Sequence, residues 1–182
     1  MLSIISQIVF LLAIQTADNI AASEVAVTQP PSIDTCSLIE ETDKKIADTD
    51  NGLSNYKEVK RNLEGQSSEG GVIAAYYDKD TLKKIETSFY GEMGKAVTEY
   101  YWDENFLLFV RSTLWHYNRP IYLDNSEVKS MEENLYYFYN KDLALWRSSK
   151  SQFFDPESNE FKNENQYLLK TAEEFRNLVE ED

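Results

Sequence analysis

The sequence predicts an α+β fold: an antiparallel β-meander of about five or six strands, covered by one or two N-terminal helices and a C-terminal helix. Three observations carry this. Between Val72 and Phe153, short runs rich in Val, Ile, Thr, Tyr, Phe and Trp alternate with Asp, Asn, Gly and Lys, the pattern of strands joined by turns. The connections are too short for a parallel return, which needs a crossover of about a dozen residues, so consecutive strands must pair antiparallel. The flanking segments instead repeat apolar residues at three, four and seven, the spacing of one helical face.

With 182 residues the chain has room for one domain, the usual size being about 100–200 residues. At the amino end, Leu2 to Ile14 is mostly apolar, Ile8 to Ile14 is unbroken, and small residues follow at Ala21-Ala22-Ser23. That is the apolar core and exit of a secretory signal peptide, too short for a comfortable transmembrane helix. It departs from the usual pattern in having no Lys or Arg before Lys44. Residues 1–23 are therefore expected to be a signal peptide, giving a periplasmic or secreted protein with no integral membrane span after its removal. Residues 24–33, with Pro30-Pro31, read as a linker, and 34–182 as a single α+β domain. Cys36 is the one cysteine, so no intramolecular disulfide forms; with no histidine nearby in sequence it is expected to be an inert, half-buried thiol.

Within that domain, residues 34–65 are expected to be helical. Ile39, Ile46, Leu53, Tyr56, Val59 and Leu63 follow the helical spacing, and Asp50-Asn51-Gly52 favours a turn, so two shorter helices are expected equally with one long helix. Gln66 to Gly71 ends it. The sheet, 71–153, is expected to place strands at about 72–78, 82–90, 95–102, 106–117, 132–139 and 143–153. The run from Phe106 is apolar on both pleat faces, Leu107 and Phe109 against Leu108 and Val110, which predicts a central strand covered on both sides. In the tail, 160–182, Leu168, Ala172, Phe175 and Val179 recur at helical spacing and predict a helix laid on the sheet.

An internal repeat supports the meander. Tyr76-Tyr77-Asp78-Lys79-Asp80-Thr81-Leu82 is echoed by Tyr101-Trp102-Asp103-Glu104-Asn105-Phe106-Leu107 and by Phe138-Tyr139-Asn140-Lys141-Asp142-Leu143. In each, two aromatics end a strand, Asp or Asn opens a tight turn, and apolar residues begin the return. On these residues, 71 to about 146 resembles the strand repeats of exported bacterial proteins of unknown function built on Tyr-Tyr-Phe-Asp-x-Gly-Lys-Leu hairpins. The Gly-Lys is replaced here by Asp80-Thr81 and Asn105-Phe106. The pattern is also distantly similar to MORN-type hairpin repeats, whose glycines this chain lacks. Neither resemblance implies an activity.

A net charge of −14 repels phosphate backbones and anionic lipid, so nucleic acid is not an expected partner. The sequence holds no Gly-rich phosphate loop, no GxSxG elbow and no paired-cysteine site, and one histidine cannot make a His-x-x-x-His pair; no metal or cofactor is expected. Ser126-Glu127-Val128-Lys129 matches SxxK without its companion motifs. Asp48 to Gly52 fails as a calcium loop, because positions six and twelve fall on Leu53 and Val59.

The candidate ligand-binding residues are Arg111, Trp115, Tyr117 and Arg119. Together with Thr113 they project from one face of a strand, combining cations with aromatic planes. The competing reading is sheet structure, with Arg111 and the aromatics paired across strands to residues such as Glu86, Glu92 and Glu99. His116 points to the opposite face and is expected to be packed or hydrogen-bonded. No catalytic residue stands out. The expected function is non-enzymatic binding of a partner protein or small ligand on the sheet, the alternatives being a small carboxylate-dependent enzyme and a purely structural envelope protein.

Overall fold

The computed structural model describes residues 34–63, 69–150 and 152–180. The expected signal peptide and linker lie outside the described residues. Helix α1 spans Thr35–Gly52 and is followed by a short 3-10 turn, Leu53–Asn55. Seven strands come next among the described residues: β1 (Lys57–Leu63), β2 (Gly71–Asp78), β3 (Thr81–Gly91), β4 (Gly94–Asp103), β5 (Phe106–Tyr117), β6 (Val128–Tyr139) and β7 (Asp142–Ser148). Helix α2, Asn159–Glu180, closes the order. The strands lie in sequence order and every neighbouring pair is antiparallel, so the α+β meander is as expected, with seven strands rather than five or six.

The added strand is β1, and it corrects the helical assignment of 34–65. The helix ends at Gly52; Val59, Arg61 and Leu63 then alternate inward on a strand. Val59 and Leu63 are four apart, a spacing that satisfies a helical face and a strand face equally. As the sheet edge, β1 carries Lys57, Glu58 and Lys60, charges that blunt edge-to-edge pairing. The last expected strand is also shorter than 143–153: β7 stops at Ser148 and the chain turns back, Phe153 making a single bridge to Arg147.

The helices pack on opposite faces. On one, α2 lays Phe161, Leu168, Ala172 and Val179 over Ile73, Ile85, Tyr100, Trp102, Val110, Tyr136 and Trp146. Phe154 stacks on Trp146 with ring centroids 3.7 Å apart, and Ser158 Oγ accepts the Phe161 N–H to begin the helix. On the other face, Ile46 of α1, with Leu38 and Ile39, covers Tyr101, Phe109, Leu135 and Tyr137. Asp34 caps α1 by accepting from the Cys36 N–H and the Ser37 hydroxyl. Cys36 itself is exposed, not half-buried, because it sits on the outer side of this first turn.

The internal repeat is present, with a correction to its third copy. Three hairpins close on the pairs Asp78↔Thr81, Asp103↔Phe106 and Tyr139↔Asp142, so Tyr137-Phe138-Tyr139, not Phe138-Tyr139-Asn140, matches Tyr76-Tyr77-Asp78. Each copy carries a β-bulge at the same place, between Tyr76 and Tyr77, Tyr101 and Trp102, Tyr137 and Phe138. The extra residue on the return strand of the second copy is Leu108. It breaks the expected alternation: Leu107 and Phe109 go to opposite faces, into the α2-side and α1-side cores respectively. Phe109 and Val110 are nevertheless fully buried, so β5 is covered on both sides as its sequence predicts.

Candidate binding face

The cross-strand register stacks the α1-side face into rows. Helix α1 lies across the row Lys84, Tyr101, Phe109, Tyr137 and Leu145, making contacts from β6 to β3 along its length. The Tyr137 hydroxyl meets Asp43 at 3.5 Å, Lys45 pairs with Asp103 at 2.5 Å and Asp50 pairs with Lys84 at 3.1 Å.

The next row, Glu86, Glu99, Arg111, Leu135 and Arg147, is ionic, and Lys84 reaches into it from the first. Lys84, 4% exposed, donates to Glu99 at 2.6 Å, to the Tyr101 hydroxyl at 2.8 Å and to Asp50. Tyr101 O–H in turn lies 3.1 Å from both Asp50 and Glu99. The second Glu99 oxygen accepts from Arg111 at 3.0 Å, and Arg111 reaches Glu133 at 4.0 Å. Burial pushes the Glu99 carboxyl up, but the Lys84 hydrogen bond and charge, with Arg111 and Tyr101, hold it below the ordinary glutamate value. Burial, with Glu99 and Asp50 close by, drives the Tyr101 phenol strongly upward, keeping it a neutral donor. Arg111 is thus committed to a network tying α1 to four strands, β3 to β6.

Among the described residues, the apolar side chains of α1 pack on Tyr101, Phe109, Leu135 and Tyr137 of the inner rows, and the outermost row reads Tyr90, Lys95, Trp115, Met131. The Lys95 ammonium stands 5.5 Å from the Tyr90 ring centroid and 5.7 Å from that of Trp115, both cation–π distances. Tyr90 is 38% exposed and Met131 53%. Tyr117, paired with Val128, continues the face past this row, and its N–H donates to Met93 O. Gly94 is required here: a Cβ on it would lie 2.6 Å from the Trp115 carbonyl oxygen, so its absence lets β4 approach β5 under the tryptophan.

Of the four residues singled out in the sequence, Trp115 and Tyr117 stand together on this open ledge. Arg111 lies two rows inward, and Arg119 lies past the end of β5 in an exposed bend. His116 does face the other way, but it is exposed, not packed. Tyr90, Lys95 and Met131 are ledge residues that strand alternation alone did not bring to β5; the Gly91↔Gly94 hairpin closure that sets their register was the available signal. Ser126 and Lys129 of the SxxK match do not form a site: Ser126 O–H donates to the Arg119 carbonyl and Lys129 is exposed. Among the described residues there is no group of three or more His, Cys, Asp or Glu placed to hold a metal ion. No family model, no curated protein and no solved structure matches the chain.

Proposed function

We propose that the protein is an exported, non-catalytic binding protein that takes a partner protein on the open end of its α1-side sheet face. The observation that carries this is the ledge itself. Tyr90, Trp115, Tyr117, Val128 and Met131 are grouped on one end of the face, with the Lys95 ammonium between Tyr90 and Trp115, on a chain of net charge −14. Exposed aromatic and Met side chains grouped in this way are the composition of the central part of a protein interface. Neither of the two clefts lined by the hairpin tips includes a ledge residue, which favours a protein over a small molecule here. On the rows inside the ledge, Glu99 and Glu133 are engaged by Lys84 and Arg111, and Glu92 in the β3–β4 turn accepts from the Tyr122 hydroxyl. Arg119 stands near the rim, where a charge steers association more than it adds affinity.

Export rests on the apolar run from Ile8 to Ile14 and the small residues at 21–23. No helix among the described residues is long and apolar enough to cross a membrane.

The test is photo-crosslinking in cells, with a benzophenone side chain placed at Met131 or, as a control, at the exposed Lys170 of α2. A discrete protein adduct from Met131 that is absent from Lys170 and lost with Trp115→Ala supports the reading. Equal labelling from both positions, or persistence in Trp115→Ala, overturns it. Amino-terminal sequencing of the same material tests export, and an intact Met1 would remove that part.

A further inference from the structure

The opposite end of the strands carries a second feature, at the tips of the repeated hairpins. Lys79, Glu104, Asn140 and Lys141 have φ of 57°, 54°, 50° and 76°, a left-handed conformation that glycine adopts freely and that Lys and Glu adopt only under strain. Two-residue hairpin turns are ordinarily built with Asn-Gly or Asp-Gly for this reason. Here side chains stand where glycine would be easier, and three of the four line one cleft.

That cleft, about 370 Å³, lies between the β4–β5 and β6–β7 tips and falls within the roughly 300–1,000 Å³ of small-molecule sites. Its aromatic lining is Phe106 and Tyr139, 47% and 48% exposed. The Lys141 ammonium sits 4.8 Å from the Phe106 ring centroid, coupling the strained turn to that ring. Glu104 supplies a carboxylate acceptor, as does Asp103 through the oxygen that Lys45 does not hold, Asn140 supplies an amide that both donates and accepts, and Lys141 a donor.

This lining matches one ligand class. An anion meets two carboxylates on a strongly acidic chain, and a purely apolar ligand would strip water from them without replacing its hydrogen bonds. A sugar ring offers C–H faces to the aromatics and hydroxyls that serve donors and acceptors alike. We propose that the hairpin-tip cleft binds a neutral carbohydrate, stacked on Phe106 and Tyr139 and hydrogen-bonded by Glu104, Asn140 and Lys141. Strain at the tips holds those side chains over the cleft.

The ¹⁵N-labelled full chain, titrated by NMR with neutral tetrasaccharides of glucose, mannose, galactose and N-acetylglucosamine, tests this. At least one should shift the amides of Phe106, Tyr139, Asn140 and Lys141 in a saturable way, and Phe106→Ala should weaken that binding roughly tenfold. Lys141→Gly and Glu104→Gly should each raise Tm by roughly 2–4 °C while weakening binding, a combination that a merely structural turn would not give. No saturable shift with any of the four sugars, or glycine variants that bind as well as the parent, would overturn the proposal. Neither outcome bears on the ledge at the other end of the sheet.

Discussion

Replacing Lys84 by Met is the most direct test of the ionic row. Methionine keeps the aliphatic stem and removes the ammonium, which now serves Glu99, Asp50 and the Tyr101 hydroxyl from a side chain 5% exposed. A hydrogen bond to a charged group contributes about 1.5–3 kcal/mol, and breaking a fully buried pair costs about 3–5 kcal/mol. The loss here should be smaller, because Glu99 keeps Arg111 at 3.0 Å and Asp50, 38% exposed, regains water. We expect Lys84→Met to cost about 2–3 kcal/mol, a fall in Tm of roughly 4–12 °C for a domain of this size. In a double-mutant cycle with Glu99→Gln, the combined loss should fall short of the sum by at least about 1 kcal/mol. Because the Glu99 carboxyl is held below its ordinary 4.5, its contribution is complete above that value and disappears as pH falls through the lowered one. The gap between parent and Lys84→Met should therefore be widest near pH 7 and narrow below about pH 4. Thermal unfolding followed by circular dichroism reads all three. A Tm within 2 °C of the parent at pH 7, or additive single and double variants, would refute the reasoning.

Glu164 of α2 is the reverse case. Burial raises its carboxyl above the ordinary 4.5, against the hydrogen bond from Tyr136, and Glu160 adds to the rise. The folded state then resists its ionisation, so Glu164→Gln should stabilise by about 0.5–2 kcal/mol at pH 7, with the gain fading as pH falls toward 4.5; chemical denaturation at both pH values checks the sign. Gly94→Ala should cost about 1–3 kcal/mol, since its Cβ would collide with the Trp115 carbonyl. Because Trp102 and Trp146 are buried, the accompanying movement should appear as altered acrylamide quenching of the partly exposed Trp115.

The parts of the fold legible in the sequence were those governed by a single period. β5, Phe106–Tyr117, was bounded to the residue, because a clear Asp-Glu-Asn turn precedes it and Arg111 to Asn118 alternates cleanly. Helix α2 followed from Leu168, Ala172, Phe175 and Val179. β1 was not legible, since Val59 and Leu63 fit both periods, and β6 begins at Val128, eight residues before its first aromatic, Tyr136. The bulges left no local signal, yet each decides which face its neighbours occupy. For the site, alternation placed Trp115 and Tyr117 on one face, while the fate of Arg111 depended on register: Glu99 stands opposite it and Glu133 one row further out on β6. The Lys84–Asp50 bond joins residues 34 apart in sequence, and no local pattern announces it.

The geometry of α1 explains why an open ledge exists at all. The second and third hairpin repeats each send one aromatic to each helix, Tyr101 and Tyr137 toward α1 and Trp102 and Phe138 toward α2. The α1 side therefore receives phenols that need polar partners, and Asp43 and Asp50 on the helix supply them. Those bonds fix α1 across the strands rather than along them, running from β6 at Asp43 to β3 at Asp50. A helix with its side chains is about 10–12 Å wide, whereas a strand of 12 residues such as β5 extends roughly 40 Å. One crosswise helix thus covers two or so rows of side chains, the phenolic row and part of the ionic row beside it. The row of Tyr90, Lys95, Trp115 and Met131 falls outside its reach. Glu99, Arg111 and Glu133 form the boundary, pairing with one another. What lies beyond that boundary is the mixed row Ser88, Val97, Thr113 and Glu133 and then the ledge row of Tyr90, Lys95, Trp115 and Met131, which a crosswise helix fixed by Asp43 and Asp50 is too narrow to reach.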